Sequence, residues 1–123
     1  LFSTILLAVL VGPAFAAPQW RVLPNAPDRG ASNRHDDLHF VDEQTGWVCN
    51  LGGEIWKTTN GGASWDLQLD IPEAFRSITF ATPQRGWAGS LFDVNLLWET
   101  FDGGENWSVV PNLPTPRPSG ICG

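Results

Sequence analysis

Two stretches of the chain, TTNGGASW at 58–65 and TFDGGENW at 100–107, are versions of one another and belong to a longer internal repeat. Phe40 and Phe80 stand 40 residues apart, as do Gly46-Trp47 and Gly86-Trp87. Trp56 and Trp98, Thr58 and Thr100, and Trp65 and Trp107 stand 42 apart, so two extra residues fall between Trp87 and Trp98. The repeat reads F-x-x-x-x-x-G-W, a variable stretch, then W-x-T-x-(N/D)-G-G-x-x-W. Six of the seven tryptophans fall into three matched pairs, which chance does not explain. The pattern runs on at both ends: Trp20 opens WRVLPNAP as Trp107 opens WSVVPNLP, and Ile121 falls where Ile78 and Leu38 fall.

A period of about 40 to 45 residues belongs either to propeller blades or to helical solenoids, and the local pattern decides between them. DLHFV and SITFA alternate polar and apolar residues, as half-buried strands do. GWVCN and GWAGS follow the turn-like DEQT and TPQR. EIWKT and LLWET come next, then SWDLQL and NWSVVP, all short and rich in aromatic or branched residues. No stretch after residue 16 carries a helical apolar stripe. Four short strands per repeat predict an all-β chain: a fragment of a β-propeller with about two four-stranded antiparallel blades and partial blades at each end.

The paired glycines lie between two strand-like runs. Asn60-Gly61 and Asp102-Gly103 suit a tight hairpin whose central residues need positive φ, with Gly62 and Gly104 relieving a further left-handed position or a bulge. Thr58 and Thr100 offer hydroxyls to the turn backbone, the side chains of Asn60 and Asp102 accept from an amide two residues on, and Trp65 and Trp107 anchor the turn. Every residue type in the motif has a structural task.

The pattern (S/T)-x-(D/N)-x-G-x-(S/T)-W resembles the Asp box, or BNR repeat, of sialidases, sortilin-type receptors and photosystem II stability/assembly factors. Thr58, Asn60, Gly62, Ser64 and Trp65 match it fully; Thr100, Asp102, Gly104 and Trp107 match, with Asn106 in place of Ser or Thr. The preceding F-x-x-x-x-x-G-W is similar to the photosystem II assembly-factor type. The resemblance covers about residues 38–110. It implies a propeller in which the Asp box lies on a peripheral hairpin outside any active site.

The first 16 residues, LFSTILLAVLVGPAFA, are uncharged, apolar from Ile5 to Val11, and end in Ala14-Phe15-Ala16. They read as the core and cleavage site of a secretory signal peptide lacking its basic start, against the rival reading of a retained membrane anchor. The expected organisation is a leader at 1–16 and the outer strand of a ring-closing blade with its linker at 17–37. A blade with the first Asp box at 38–70 and a blade with the second at 71–110 follow, and a linker opening a further blade occupies 111–123. The expected location is secreted or periplasmic, with no membrane span after the leader. Oxidising surroundings would permit, without implying, a disulfide between Cys49 and Cys122. The net charge of -6 with no basic run argues against a nucleic-acid partner.

For function, the resemblance leaves three classes open. The first is an exported scaffold that binds a protein or glycan ligand, similar to photosystem II assembly factors. The second is a sialidase-like glycoside hydrolase, and the third a sortilin-like receptor or adhesion module. The sialidase branch implies a tyrosine nucleophile and an arginine cluster, and the chain has no tyrosine, so no catalytic residue, cofactor or metal is assigned. The densest polar cluster, RHDDLHF at 34–40, puts Asp37 and His39 on one strand face, where they start a metal site or merely open a strand. Asp36 aligns with Arg76, and both precede the first strand of a blade, near the central channel that the resemblance implies. Positions that differ while the frame repeats are free to specialise, so Asp36, His39 and Arg76 form the candidate recognition surface.

Overall fold

The computed structural model describes residues 17, 19–28, 34–91 and 96–113. The leader at 1–16, Cys122 and the start of a further blade at 114–123 lie outside the described residues. Eight strands follow in order: β1 (His35–Phe40), β2 (Gly46–Asn50), β3 (Glu54–Thr58), β4 (Asp66–Asp70), β5 (Phe75–Phe80), β6 (Gly86–Ser90), β7 (Leu97–Thr100) and β8 (Ser108–Val109). They form two antiparallel sheets, β1-β2-β3-β4 and β5-β6-β7-β8, with no helix among the described residues.

The F-x-x-x-x-x-G-W unit has a direct steric origin. Phe40 pairs across the ladder with Gly46, and Phe80 with Gly86. Each phenyl ring folds over its glycine so closely that a Cβ would stand 2.7 Å from the Phe40 ring or 2.6 Å from the Phe80 ring. Such an approach is closed to any other residue, which is why the Phe and the Gly travel together.

The two sheets meet at their first strands, with β1 and β2 packed against β5. The core lies at this junction, from Trp47, Cys49 and Ile55 of one sheet and Phe75, Ile78, Phe80 and Ala88 of the other. Trp47 stacks on Phe80 with ring centroids 3.5 Å apart and planes 7° from parallel, and Trp107 meets Phe80 edge-on at 6.0 Å. Burying a side chain of this size stabilises by about 1.5–3 kcal/mol, so this aromatic stack is a principal fastener between the sheets. A polar contact crosses the same junction, the Ile78 amide donating to the Asp37 carboxylate at 2.8 Å.

Two details depart from the sequence reading. The first strands begin at His35 and Phe75, so Asp36 and Arg76 lie inside strands rather than before them. Both are the extra residue of a bulge, since β1 advances from His35 to Asp37 while β2 advances by one, and β5 does the same from Phe75 to Ser77. Simple alternation hides a bulge, because the inserted residue shifts the register without changing the residue types around it.

The second departure concerns the glycine turns. Positive φ falls on both glycines of each pair, Gly61 (66°) and Gly62 (84°), Gly103 (77°) and Gly104 (95°), while Asn60 and Asp102 are absent from the positive-φ residues. The connection from Thr58 to Asp66 is a wider loop than a two-residue hairpin, and within it the Asn or Asp supplies hydrogen bonds rather than a left-handed backbone.

Candidate functional site

The glycine turns are built around a buried threonine hydroxyl. Thr58 Oγ1 accepts from the amides of Asn60 (3.3 Å) and Gly62 (2.9 Å) and donates to Asn60 Oδ1 (3.0 Å). Asn60 Oδ1 also accepts from the Ser64 amide at 2.9 Å, and Asn60 Nδ2 donates to Ser64 Oγ at 2.8 Å. The second turn repeats this: Thr100 Oγ1 accepts from Asp102 and Gly104 and donates to Asp102 Oδ1, which accepts from the Asn106 amide at 2.9 Å. Asn106 Nδ2 then donates to Asp102 Oδ2 at 2.7 Å. The two turns thus exchange chemistry as a pair, an amide against a hydroxyl in one and a carboxylate against an amide in the other. The Asn106 amides, side chain before backbone, and the Thr100 hydroxyl hold the Asp102 carboxyl down at about 2.

Each turn is tied to the first turn of its own sheet, Gly61 N–H donating to Gln44 O at 2.9 Å and Gly103 N–H to Gln84 O at 2.8 Å. The second is also tied to the other sheet, since Trp47 Nε1 donates to the Gly103 carbonyl at 3.0 Å. Trp65 and Trp107 complete the turns, Trp65 meeting Phe40 edge-on at 6.2 Å. All nine motif residues therefore sit in structural roles, and they position strand ends rather than hold out reactive groups.

The opposite end of the first strands carries the residues that vary. Asp36 is paired with Arg34 through the guanidinium, which covers the carboxylate and raises the arginine pKa by hydrogen bonding and charge. Asp37 is consumed by the Ile78 and Leu38 amides. His35 Nε2 lies 2.6 Å from the Pro27 carbonyl. His39 is partly buried, on the face of β1 that it shares with Asp37 and hence toward β5. Arg76 is exposed at its bulge and makes no ion pair among the described residues. An open cleft of about 330 Å³ lies beside this cluster, lined by Ala26, Pro27, His35, Asp36, Asp37, Leu38 and Val48.

The structure therefore sets Asp36 and Arg76 at equivalent bulges on neighbouring strands and turns His39 toward the sheet junction. Sequence reasoning passed over Arg34, which neutralises Asp36, and took Asp37 only as the start of a metal site or a group opening the strand, whereas it joins the sheets. The only signal for Asp37 was its place on the face opposite the apolar Leu38 and Phe40. It also missed the contact of Leu23 with the first turn. A Cβ on Gly62 would stand 2.9 Å from the Leu23 side chain, as one on Gly104 would stand 3.5 Å from Gln68 Oε1, and Leu23 and Gln68 both lie three residues after a repeat tryptophan. Asn25 Nδ2 adds a bond to the Ala63 carbonyl at 3.0 Å.

Two four-stranded antiparallel sheets, each ordered as in the chain and meeting at their first strands, are consecutive blades of a β-propeller. Solved β-propellers described as YCF48 carry the same arrangement. The structure of YCF48 bound to D1 peptide aligns with a TM-score of 0.58 and 23% identity over 80% of this chain, and YCF48 from Cyanidioschyzon merolae with a TM-score of 0.53 and 19% identity over 69%. The chain spans 37% and 31% of the lengths of those two proteins. No protein-family model and no curated protein sequence matches it. Among the described residues no helix is long and apolar enough to cross a membrane.

Proposed function

We propose that this chain is part of an exported β-propeller that binds a protein segment as an assembly scaffold, in the manner of photosystem II stability/assembly factors. The observation that carries the reading is the pair of bulges at Asp36 and Arg76. One backbone device, built twice on adjacent first strands, holds an exposed Arg76 at one bulge and an Asp36 already covered by Arg34 at the other. A rigid frame with divergent residues at a fixed position is how repeat proteins acquire a binding face. The exposed guanidinium of Arg76 and the open cleft beside Asp36 and His35 suit an extended peptide with a carboxylate near Arg76. His39 supports this face from the junction side. YCF48 with its bound D1 peptide supports the choice of a peptide ligand over a glycan.

In the same reading the two glycine turns are Asp boxes, and they serve the fold. The Thr58 and Thr100 hydroxyl networks and the edge-on contact of the partly buried Trp107 with Phe80 are what such a role requires. Residues 1–16 direct export.

The test is binding of the D1 peptide that YCF48 holds, followed by the chain's tryptophan fluorescence. Saturable binding by the wild type, weakened about tenfold in Arg76→Ala with folding intact, is expected; tenfold is about 1.4 kcal/mol. Absence of binding, or equal binding by Arg76→Ala and Asp36→Ala, would overturn the proposed site.

A further inference from the structure

Asn60-Gly61 is the one Asn-Gly pair in the sequence, and a following glycine, with no Cβ, leaves its own amide nitrogen open to attack the side chain before it. In such a pair the Gly61 nitrogen loses its proton and bonds to Asn60 Cγ, the Cγ–Nδ2 bond breaks, and Nδ2 leaves as ammonia with the proton. A water molecule then opens the cyclic imide. Addition at Cγ restores the ordinary main chain with aspartate at position 60. Addition at the main-chain carbonyl carbon leaves isoaspartate, in which the chain runs through the former side chain.

Both reacting groups are held in the folded turn. The Gly61 N–H is committed to the Gln44 carbonyl at 2.9 Å. The Asn60 side chain is bound at both ends: Oδ1 accepts from the Thr58 hydroxyl at 3.0 Å and from the Ser64 amide at 2.9 Å, and Nδ2 donates to Ser64 Oγ at 2.8 Å. Attack therefore needs the bonds to Gln44 and Ser64 to open together. Asn60 and Ser64 are exposed, so that opening uncovers none of the core, and local openings of this kind lie well below global unfolding in free energy.

The second turn shows that the product fits. Asp102 stands where Asn60 stands, and its Oδ1 accepts from the Thr100 hydroxyl and the Asn106 amide, both at 2.9 Å, the counterparts of the two donors to Asn60 Oδ1. Aspartate at position 60 keeps both donors, and the Ser64 hydroxyl, which now accepts from Nδ2, turns to donate to the new oxygen. Isoaspartate instead adds an atom to the main chain ahead of Gly61, which shifts the Gly61 and Gly62 amides away from Gln44 O and Thr58 Oγ1. Isoaspartate returns through the same imide, so a folded turn that accepts only aspartate drains the mixture toward it.

We propose that Asn60 is a self-modification site: it deamidates through opening of its own turn, and the fold retains the product as aspartate, giving the first turn the carboxylate chemistry of the second. The sister pair Asp102-Gly103 is the internal control. Its carboxylate, held ionised by Asn106 and Thr100, is a poor target for the Gly103 nitrogen and stays as it is.

Peptide mapping by mass spectrometry tests this on the full chain aged in mildly alkaline buffer, native and in guanidinium chloride, with electron-transfer fragmentation separating aspartate from isoaspartate at position 60. Native conversion is expected, slower than in denaturant by about tenfold or more because the turn must open. Aspartate is expected to be the larger product natively and isoaspartate in denaturant. Ser64→Ala removes the partner of Nδ2 and is expected to speed native conversion about two- to tenfold, the range of one hydrogen bond, leaving the rate in denaturant unchanged. Asn60→Asp, made directly, is expected to keep the wild-type circular dichroism and denaturation midpoint. A native chain that keeps Asn60 while the denatured sample converts overturns the proposal. So do equal native and denatured rates, a native product that is mostly isoaspartate, a Ser64→Ala chain no faster than wild type, or an Asn60→Asp chain that does not fold.

Discussion

The indole of Trp47 and the carbonyl of Gly103, 56 positions apart in sequence, are joined by a 3.0 Å hydrogen bond at the centre of the blade junction. The same indole lies flat on Phe80, and Gly103 is held from behind by Gln84. One side chain therefore links an aromatic core to a glycine turn that organises the next blade. Trp47→Phe keeps much of the stack and loses the bond, which costs about 1 kcal/mol; Trp47→Ala loses both, for about 3–5 kcal/mol. Urea denaturation of the two variants would show whether the second loss is the larger.

Thr58 and Thr100 are equally buried, and each serves an amide that is otherwise orphaned. Thr58→Ala is expected to destabilise by about 1–3 kcal/mol through the unsatisfied Gly62 amide. Thr58→Ser, which keeps the oxygen, is expected to recover most of that loss. Equal denaturation midpoints for the alanine and serine variants would remove the hydroxyl from the account.

Gly86→Ala and Gly46→Ala make the same local change and are expected to differ in cost. Phe80 is pinned between Trp47 and Trp107, so a methyl group beneath it strains the junction by about 1–3 kcal/mol. Phe40 is partly open to solvent and can swing away. Thermal melts of the two variants should therefore rank Gly86→Ala as the more damaging.

Asp102 has a folded-state pKa of about 2, below the ordinary value of about 3.9. The sign follows from the depression: its contribution is fully present above the unfolded value and is lost as pH falls toward 2. Asp102→Asn is expected to flatten the acid limb of stability in that window. It also sets two amides against each other at Asn106, so adding Asn106→Ser, which rebuilds the Asn60–Ser64 pair, is expected to restore stability at neutral pH. Carbon-detected titration of the Asp102 carboxyl gives the value directly.

Burial, with the nearby Asp37 charge second, pushes the Cys49 thiol up to about 12. In a Cys122→Ser background, Cys49 is expected to react with a disulfide reagent at mildly alkaline pH only as fast as the chain opens. Rapid labelling under native conditions would contradict that burial.

How much of this was legible in the sequence divides along a physical line. Features enforced at every repeat left a mark at each copy. The Phe over its glycine, the Thr-centred turn and the paired tryptophans are all such features, and together they gave the strands and their order. Features made by one residue's surroundings left none. The bulges at Asp36 and Arg76 insert ordinary residues into ordinary strands, and Asp37 reaches Ile78 only because two blades meet. Of the two roles expected of Asn60, the left-handed backbone is absent and the side-chain acceptor is present, though it takes the amide four residues on and not two; Asn-Gly serves either way, and only the φ angles separate the two. Leu23 was discoverable from its spacing after Trp20, matched by Gln68 after Trp65, but its contact with Gly62 required the three-dimensional fold.

The central claim, two propeller blades fastened by Trp47 to the turn of the next, is tested most directly by the Trp47 indole proton in solution. Proton NMR of the full chain should show that proton exchanging slowly with solvent, with nuclear Overhauser contacts to Gly104 and to the Phe80 ring. A Trp47 indole that exchanges at the rate of an exposed side chain and shows neither contact would contradict the account.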